Sequence, residues 1–137
     1  MQDSLTQRRF DRLSFRFTDA SVPPPYHRSY SIEINEKRVL HFTVTDYSET
    51  LHQEDISLSE AQWKSLVAKS QKLEKANSKI AKGATGTSQR RIVLFQGEKE
   101  VYNLHWDSLN KVNKGTEDFL EQLKALIPDF ANKMKKS

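Results

Sequence analysis

The chain has 137 residues, 36% of them hydrophobic and 29% charged; 22 Lys and Arg stand against 18 Asp and Glu, a net charge of +4, and there is no cysteine. That length suits one compact domain. No apolar run approaches the ~20 residues of a membrane-spanning helix, and the lack of cysteine excludes a disulfide scaffold, a Cys-ligated zinc site, an iron–sulfur cluster and thiol chemistry.

Residues 1–9 are polar and aperiodic and predict a flexible lead-in to a single domain over residues 10–130. Leu13, Phe15 and Phe17 then alternate with Ser14, Arg16 and Thr18, the period of two that a half-buried strand requires. Pro23-Pro24-Pro25-Tyr26 predicts a stiff extended connector, because proline cannot donate to a sheet ladder. The same four residues are a weak match to ligands of proline-binding modules. Tyr30, Ile32 and Ile34 alternate in turn, as do Leu40, Phe42 and Val44 beyond the turn Asn35-Glu36-Lys37, and the two runs predict an antiparallel hairpin. Residues 46–57 are polar and acidic and predict a loop.

The clearest helix start follows. Ser59 suits the N-cap, Gln62 falls at N3, and Leu58 and Trp63 occupy the positions of a hydrophobic staple, with Ser57 and Glu60 as an alternative start. Trp63, Leu66, Val67, Leu73 and Ile80 lie within about 140° of a helical wheel, and Gly83 suits the residue that closes such a helix. Residues 83–88 are small and glycine-containing. They run from helix to strand and lack the Gly-Lys-Ser/Thr ending of a phosphate-binding loop, so they predict a connector. Ile92–Phe95 and Val101–Trp106, on either side of Gln96-Gly97-Glu98-Lys99, predict a second hairpin. Thr116, Glu117 and Asp118 open a last helix whose apolar stripe is Phe119, Leu120, Leu123, Leu126 and Ile127 and whose limit is Pro128. Residues 131–137 predict a flexible basic tail. The predicted fold class is α+β, in the order β-β-β-α-β-β-α: an antiparallel sheet of about five strands with two amphipathic helices packed on one face.

Catalytic and metal-binding patterns are sparse. His27, His41, His52 and His105 do not pair at the spacing that sets two ligands on one helix face. His41 and His105 fall on the outer faces of predicted strands. His105 and Asp107 share a strand face, but no motif places a nucleophile beside them. Asp46, Glu49, Glu54 and Asp55 sit together in the predicted loop, where exposed carboxylates stay ionised. No catalytic, cofactor or metal residue is predicted.

The charge is segregated. Residues 1–57 carry 7 basic and 9 acidic side chains, residues 58–91 carry 8 and 2, residues 92–127 carry 4 and 6, and residues 128–137 carry 3 and 1. On a helix running to Gly83, Lys64, Lys72, Lys75, Lys79 and Lys82 fall within about 80° of arc, and Arg90 and Arg91 follow the connector. Such a face suits an acidic protein surface, an anionic membrane surface or nucleic-acid phosphates. It lacks the interleaved aromatics of nucleic-acid modules.

Leu13-Ser14-Phe15, the strand Tyr30-Ser31-Ile32-Glu33-Ile34, the helix opening Leu58-Ser59-Glu60-Ala61-Gln62-Trp63, a hairpin and a closing helix together span residues 10–127. This pattern resembles small bacterial envelope and lipoprotein-type α+β domains of unknown function. The resemblance implies an α+β fold and a place in the cell envelope or periplasm, and it brings no catalytic or binding residues with it. Met1–Ser4 is not the start of an apolar signal segment, so a cytoplasmic protein and an exported domain without its leader both stay open. The expectation is a non-enzymatic bacterial binding domain that meets an acidic partner protein through Lys64, Lys72, Lys75, Lys79, Lys82, Arg90 and Arg91. The alternative is a nucleic-acid-binding domain using the same helix with Arg90 and Arg91.

Overall fold

The computed structural model describes residues 9–20, 22, 27–80 and 86–134. The predicted Pro23–Tyr26 connector, Lys82 and residues 83–85 of the glycine-containing connector lie outside the described residues. The strands are β1 (Arg12–Thr18), β2 (Ser29–Ile34), β3 (Val39–Asp46), β4 (Glu49–Ser57), β5 (Asn77–Lys79), β6 (Gln89–Gln96) and β7 (Lys99–Asp107). The helices are α1 (Glu60–Ser70), α2 (Lys114–Ala125) and α3 (Phe130–Lys133). The strands form one sheet in the order β4-β3-β2-β1-β6-β7-β5. Every pairing is antiparallel except that of β5 with β7.

The fold is therefore α+β, but the sheet is mixed and has seven strands where about five antiparallel ones were expected. Residues 49–57, predicted as a loop, pair with β3 as β4, with one register shift that leaves Leu51 without a partner in the ladder. The helix expected to reach Gly83 stops at Ser70. There the N–H groups of Gln71, Lys72 and Leu73 bond three residues back, to Ala68, Lys69 and Ser70, and the tightened turn swings Leu73 into the core. Residues 77–79, predicted as helix, form β5 against β7.

The helix starts follow the sequence more closely. Ser59 Oγ accepts the Gln62 N–H at 3.1 Å while Gln62 Oε1 accepts the Ser59 N–H at 2.8 Å, the reciprocal pair of a capping box. In α2 the cap is Asn113, whose Oδ1 accepts the Thr116 N–H at 2.8 Å, not Thr116 itself. Thr116 takes a different job: its hydroxyl accepts the Glu74 N–H at 2.8 Å and so ties α2 to the segment after α1.

Alternation sorts each strand into two faces. Leu13 and Phe15 of β1, Ile32 and Ile34 of β2, Leu40, Phe42 and Val44 of β3, Ile92 and Leu94 of β6, and Leu104 and Trp106 of β7 all point to one side and are buried. Trp63 and Leu66 of α1 and Phe119 and Leu123 of α2 join them in a single apolar cluster. Phe130 of α3 closes one end, its ring 5.1 Å from that of Tyr30 and 5.6 Å from that of Phe42. Among the described residues no helix contributes to the opposite face, which carries mostly polar side chains, with Val93 and Phe95 of β6 among its apolar ones.

Candidate binding face

Strand register lays a polar row across this second face. Gln53 stands beside Thr43, Thr43 beside Ser31, Ser31 beside Arg16, Arg16 beside Arg91, Arg91 beside His105 and His105 beside Ser78. Directly opposed residues share a face and approach to about 5 Å at Cβ. Arg16 and Arg91 are thus a like-charge pair in the middle of the sheet, an arrangement that is destabilising by itself. The next row holds Asp55, His41, Glu33, Ser14, Val93 and Asn103 in the same sense.

The two arginines are satisfied differently. Arg16 donates to Glu33 Oε2 at 2.9 Å, with the two side chains 64% and 45% exposed. Arg91 donates to His105 Nδ1 at 3.0 Å. A guanidinium has no acceptor, so Nδ1 must carry the lone pair; Nε2 then bears the proton and donates to Gln89 Oε1 at 3.0 Å. Both nitrogens of His105 are thereby assigned and the ring is neutral. Burial, then the Arg91 charge, push its pKa below the ordinary value, against a smaller pull upward from Asp107. Arg12 sits nearby with its guanidinium 4.6 Å from the centre of the Phe95 ring and donates to the Gly97 carbonyl at 2.7 Å. Among the described residues neither Arg12 nor Arg91 has a carboxylate within ion-pair distance.

These side chains border a hollow of about 420 Å³, with Arg12, Arg16, Arg91, Glu33 and His41 on its walls and Val93 and Phe95 on its floor. A second hollow of about 450 Å³ shares Arg16 and carries the hydroxyls of Ser29, Ser31, Thr43 and Thr45, with Tyr47 at its rim. A third, about 410 Å³, shares His41 and is closed by Gln53 and Asp55. Tyr47 stacks on His27 at 3.9 Å and gives its backbone N–H to His27 Nδ1 at 3.1 Å. The uncovered face is one polar trough, most cationic where β1 meets β6.

The lysines singled out from the sequence do not share a helix face. Lys64 is exposed on α1, Lys72 and Lys75 lie in the irregular segment after it, and Lys79 is on β5, where it donates to Glu74 Oε2 at 2.6 Å. Lys82 lies outside the described residues. Arg90 and Arg91 are successive strand residues and point to opposite sides: Arg90 lies over the Phe17 ring at 4.9 Å on the helix side, while Arg91 reaches the trough. The basic helix face thus dissolves once the helix ends at Ser70. Sequence reading missed Arg12 and Arg16 as site residues. Their signal was the outward positions of β1, opposite Leu13, Phe15 and Phe17; what it lacked was the register that brings Arg91 beside Arg16.

The other candidate chemistry is already engaged. Asp107 is fully buried and accepts the Leu109 N–H at 3.0 Å and the Asn110 side-chain amide at 2.8 Å. His41 bonds Asp55, and His52 bonds Glu54 at 2.7 Å. Among the described residues no three His, Asp or Glu side chains are grouped to hold a metal, and no helix is long and apolar enough to cross a membrane. No protein-family model matches the chain, and no curated protein matches it.

Proposed function

We propose that this chain is a non-enzymatic binding domain and that an acidic partner protein seats on the uncovered face of its sheet. The observation that carries the reading is the direct opposition of Arg16 and Arg91. Two like charges side by side in a sheet cost stability, and a partner's carboxylates would offset that cost. Arg12 extends the same cationic strip along β1. His105 spends both ring nitrogens, and His41 its Nδ1, on neighbouring side chains, an arrangement in keeping with a recognition surface.

Nucleic-acid binding is the weaker reading of the same arginines. Single-stranded bases stack on open aromatic rings, whereas Phe95 already carries the Arg12 guanidinium and Tyr47 is stacked on His27.

Affinity capture from a lysate of the organism carrying the gene tests the proposal, with the wild-type chain and the doubly reversed Arg16→Glu, Arg91→Glu chain as baits. The proposal expects an acidic protein recovered by the wild type at low salt, lost at high salt and lost with the reversed bait. Equal recovery by both baits would contradict it.

A further inference from the structure

The same hollow points to the form of the ligand. Resting on the binding reading above, we infer that it takes the carboxylate side chains of an extended acidic segment, and that Glu33 holds the place of one of them in the free protein.

The hollow carries a charge imbalance. Arg12, Arg16 and Arg91 line one hollow of about 420 Å³, and among the described residues Glu33 is the single carboxylate lining it. That carboxylate is spent on Arg16 at 2.9 Å, in a pair exposed on both sides. An exposed pair of this kind is weakly held and readily exchanged. Arg91 leans on a neutral imidazole and Arg12 on a carbonyl and a ring, so both keep their full charge. Arginine's planar fork accepts a carboxylate through two parallel N–H groups, and the Arg16–Glu33 contact shows a carboxylate already received here.

Spacing sets the shape of the occupant. Arg12 and Arg16 lie four residues apart on β1, about 13 Å at strand rise. An extended segment laid along β1 repeats its side chains at the same rise. One carboxylate would then meet the Arg16–Arg91 pair while a second, four residues away, meets Arg12. Val93, opposite Ser14 between the two arginine positions, lines the hollow and gives the methylene stems of such side chains an apolar contact.

Fluorescence anisotropy with a labelled oligoglutamate of about eight residues, long enough to span both positions, tests this on the full chain at about 0.01 M salt, where the Debye length is ~30 Å. Arg16→Glu with Arg91→Glu is expected to weaken binding by about tenfold or more. Glu33→Gln is expected to tighten it several-fold, because the internal competitor is gone. Lys64→Glu, on α1, is expected to change it little. Loss of affinity in Glu33→Gln, or equal affinity in the Arg16/Arg91 variant, would overturn the inference. Inorganic polyphosphate or single-stranded RNA binding more tightly than oligoglutamate through the same arginines would overturn the carboxylate assignment. If oligoglutamate does not bind while an acidic protein is still captured through Arg16 and Arg91, the extended-segment inference falls and the binding reading stands. The substituted side chains are exposed or half-exposed, so the melting curve should be unchanged. If the double variant melts early, Arg91→Gln alone replaces it, with a several-fold loss expected and unchanged affinity as the contrary result.

Discussion

Gly115, in the first turn of α2, lies so close to Lys72 that a β-carbon on it would fall 2.1 Å from the Lys72 carbonyl oxygen. The contact is backbone to backbone, so neither side can give way by changing a rotamer. It joins the end of α1 to the start of α2, where Glu74 also accepts the Asn113 N–H at 2.8 Å and Tyr102 donates to the Glu74 carbonyl.

Gly115→Ala should therefore destabilise the fold by about 1–3 kcal/mol, the usual range for overpacking, although alanine is the better helix former. Thermal denaturation should register a fall of several degrees. An unchanged or raised melting temperature would mean that the two helix ends separate without cost.

Two glutamates couple stability to acid. The hydrogen bond from Lys79 holds Glu74 below the ordinary glutamate value of 4.5, aided by the Asn113 N–H and opposed by burial. The Lys133 hydrogen bond does the same for Glu54, with His52 assisting. A carboxyl whose folded pKa is lowered binds protons less readily when folded than when unfolded. Its contribution is complete above the ordinary value and is lost as pH falls below 4.5 through the lowered folded value. Melting curves from neutral pH into this range should fall more steeply for the wild type than for Glu54→Gln with Glu74→Gln. Parallel curves would contradict the assignment.

The histidine of the trough makes a spectroscopic prediction. With Arg91 donating to Nδ1 and Nε2 donating to Gln89, His105 should be neutral and in the Nε2–H form. Its pKa lies below the ordinary value of 6.5 because burial and Arg91 oppose the imidazolium. Its contribution to stability is present above 6.5 and fades as pH falls through the lowered value. Nitrogen chemical shifts of the ring should show a bare Nδ1 and a protonated Nε2 at neutral pH. A mixture of tautomers would mean that Arg91 is not held there.

What could be read from the sequence follows from which side chains face inward. β1, β2, β3, β6 and β7 were legible because Phe15, Ile32, Phe42, Ile92 and Leu104 sit in apolar alternation and enter the core. β4 was not, because two of its inward positions hold His52 and Glu54; Lys133 of α3 compensates the carboxylate at 2.8 Å, a partner far away in the chain. Its most apolar outward residue, Leu51, is 41% exposed. The end of α1 was hidden by Leu73 and Ile80, which keep the helical period although Leu73 reaches the core from a turn and Ile80 follows a strand. Only the capping box marked a true boundary there. The cationic strip was half legible. Alternation placed Arg16 on an outward face, but its meeting with Arg91 is fixed by the β1–β6 pairing, which no local pattern encodes.

The central claim is that the uncovered face, at the junction of β1 and β6, receives acidic ligands. Amide chemical-shift mapping of the isotope-labelled chain during titration with oligoglutamate tests it most directly. The account predicts shifts concentrated at Arg12, Arg16, Glu33, Arg91 and His105, saturating at low salt and suppressed at about 1 M, where the Debye length is ~3 Å. Shifts concentrated instead at Lys64, Lys72 and Lys75, or spread evenly over the exposed lysines, would contradict it.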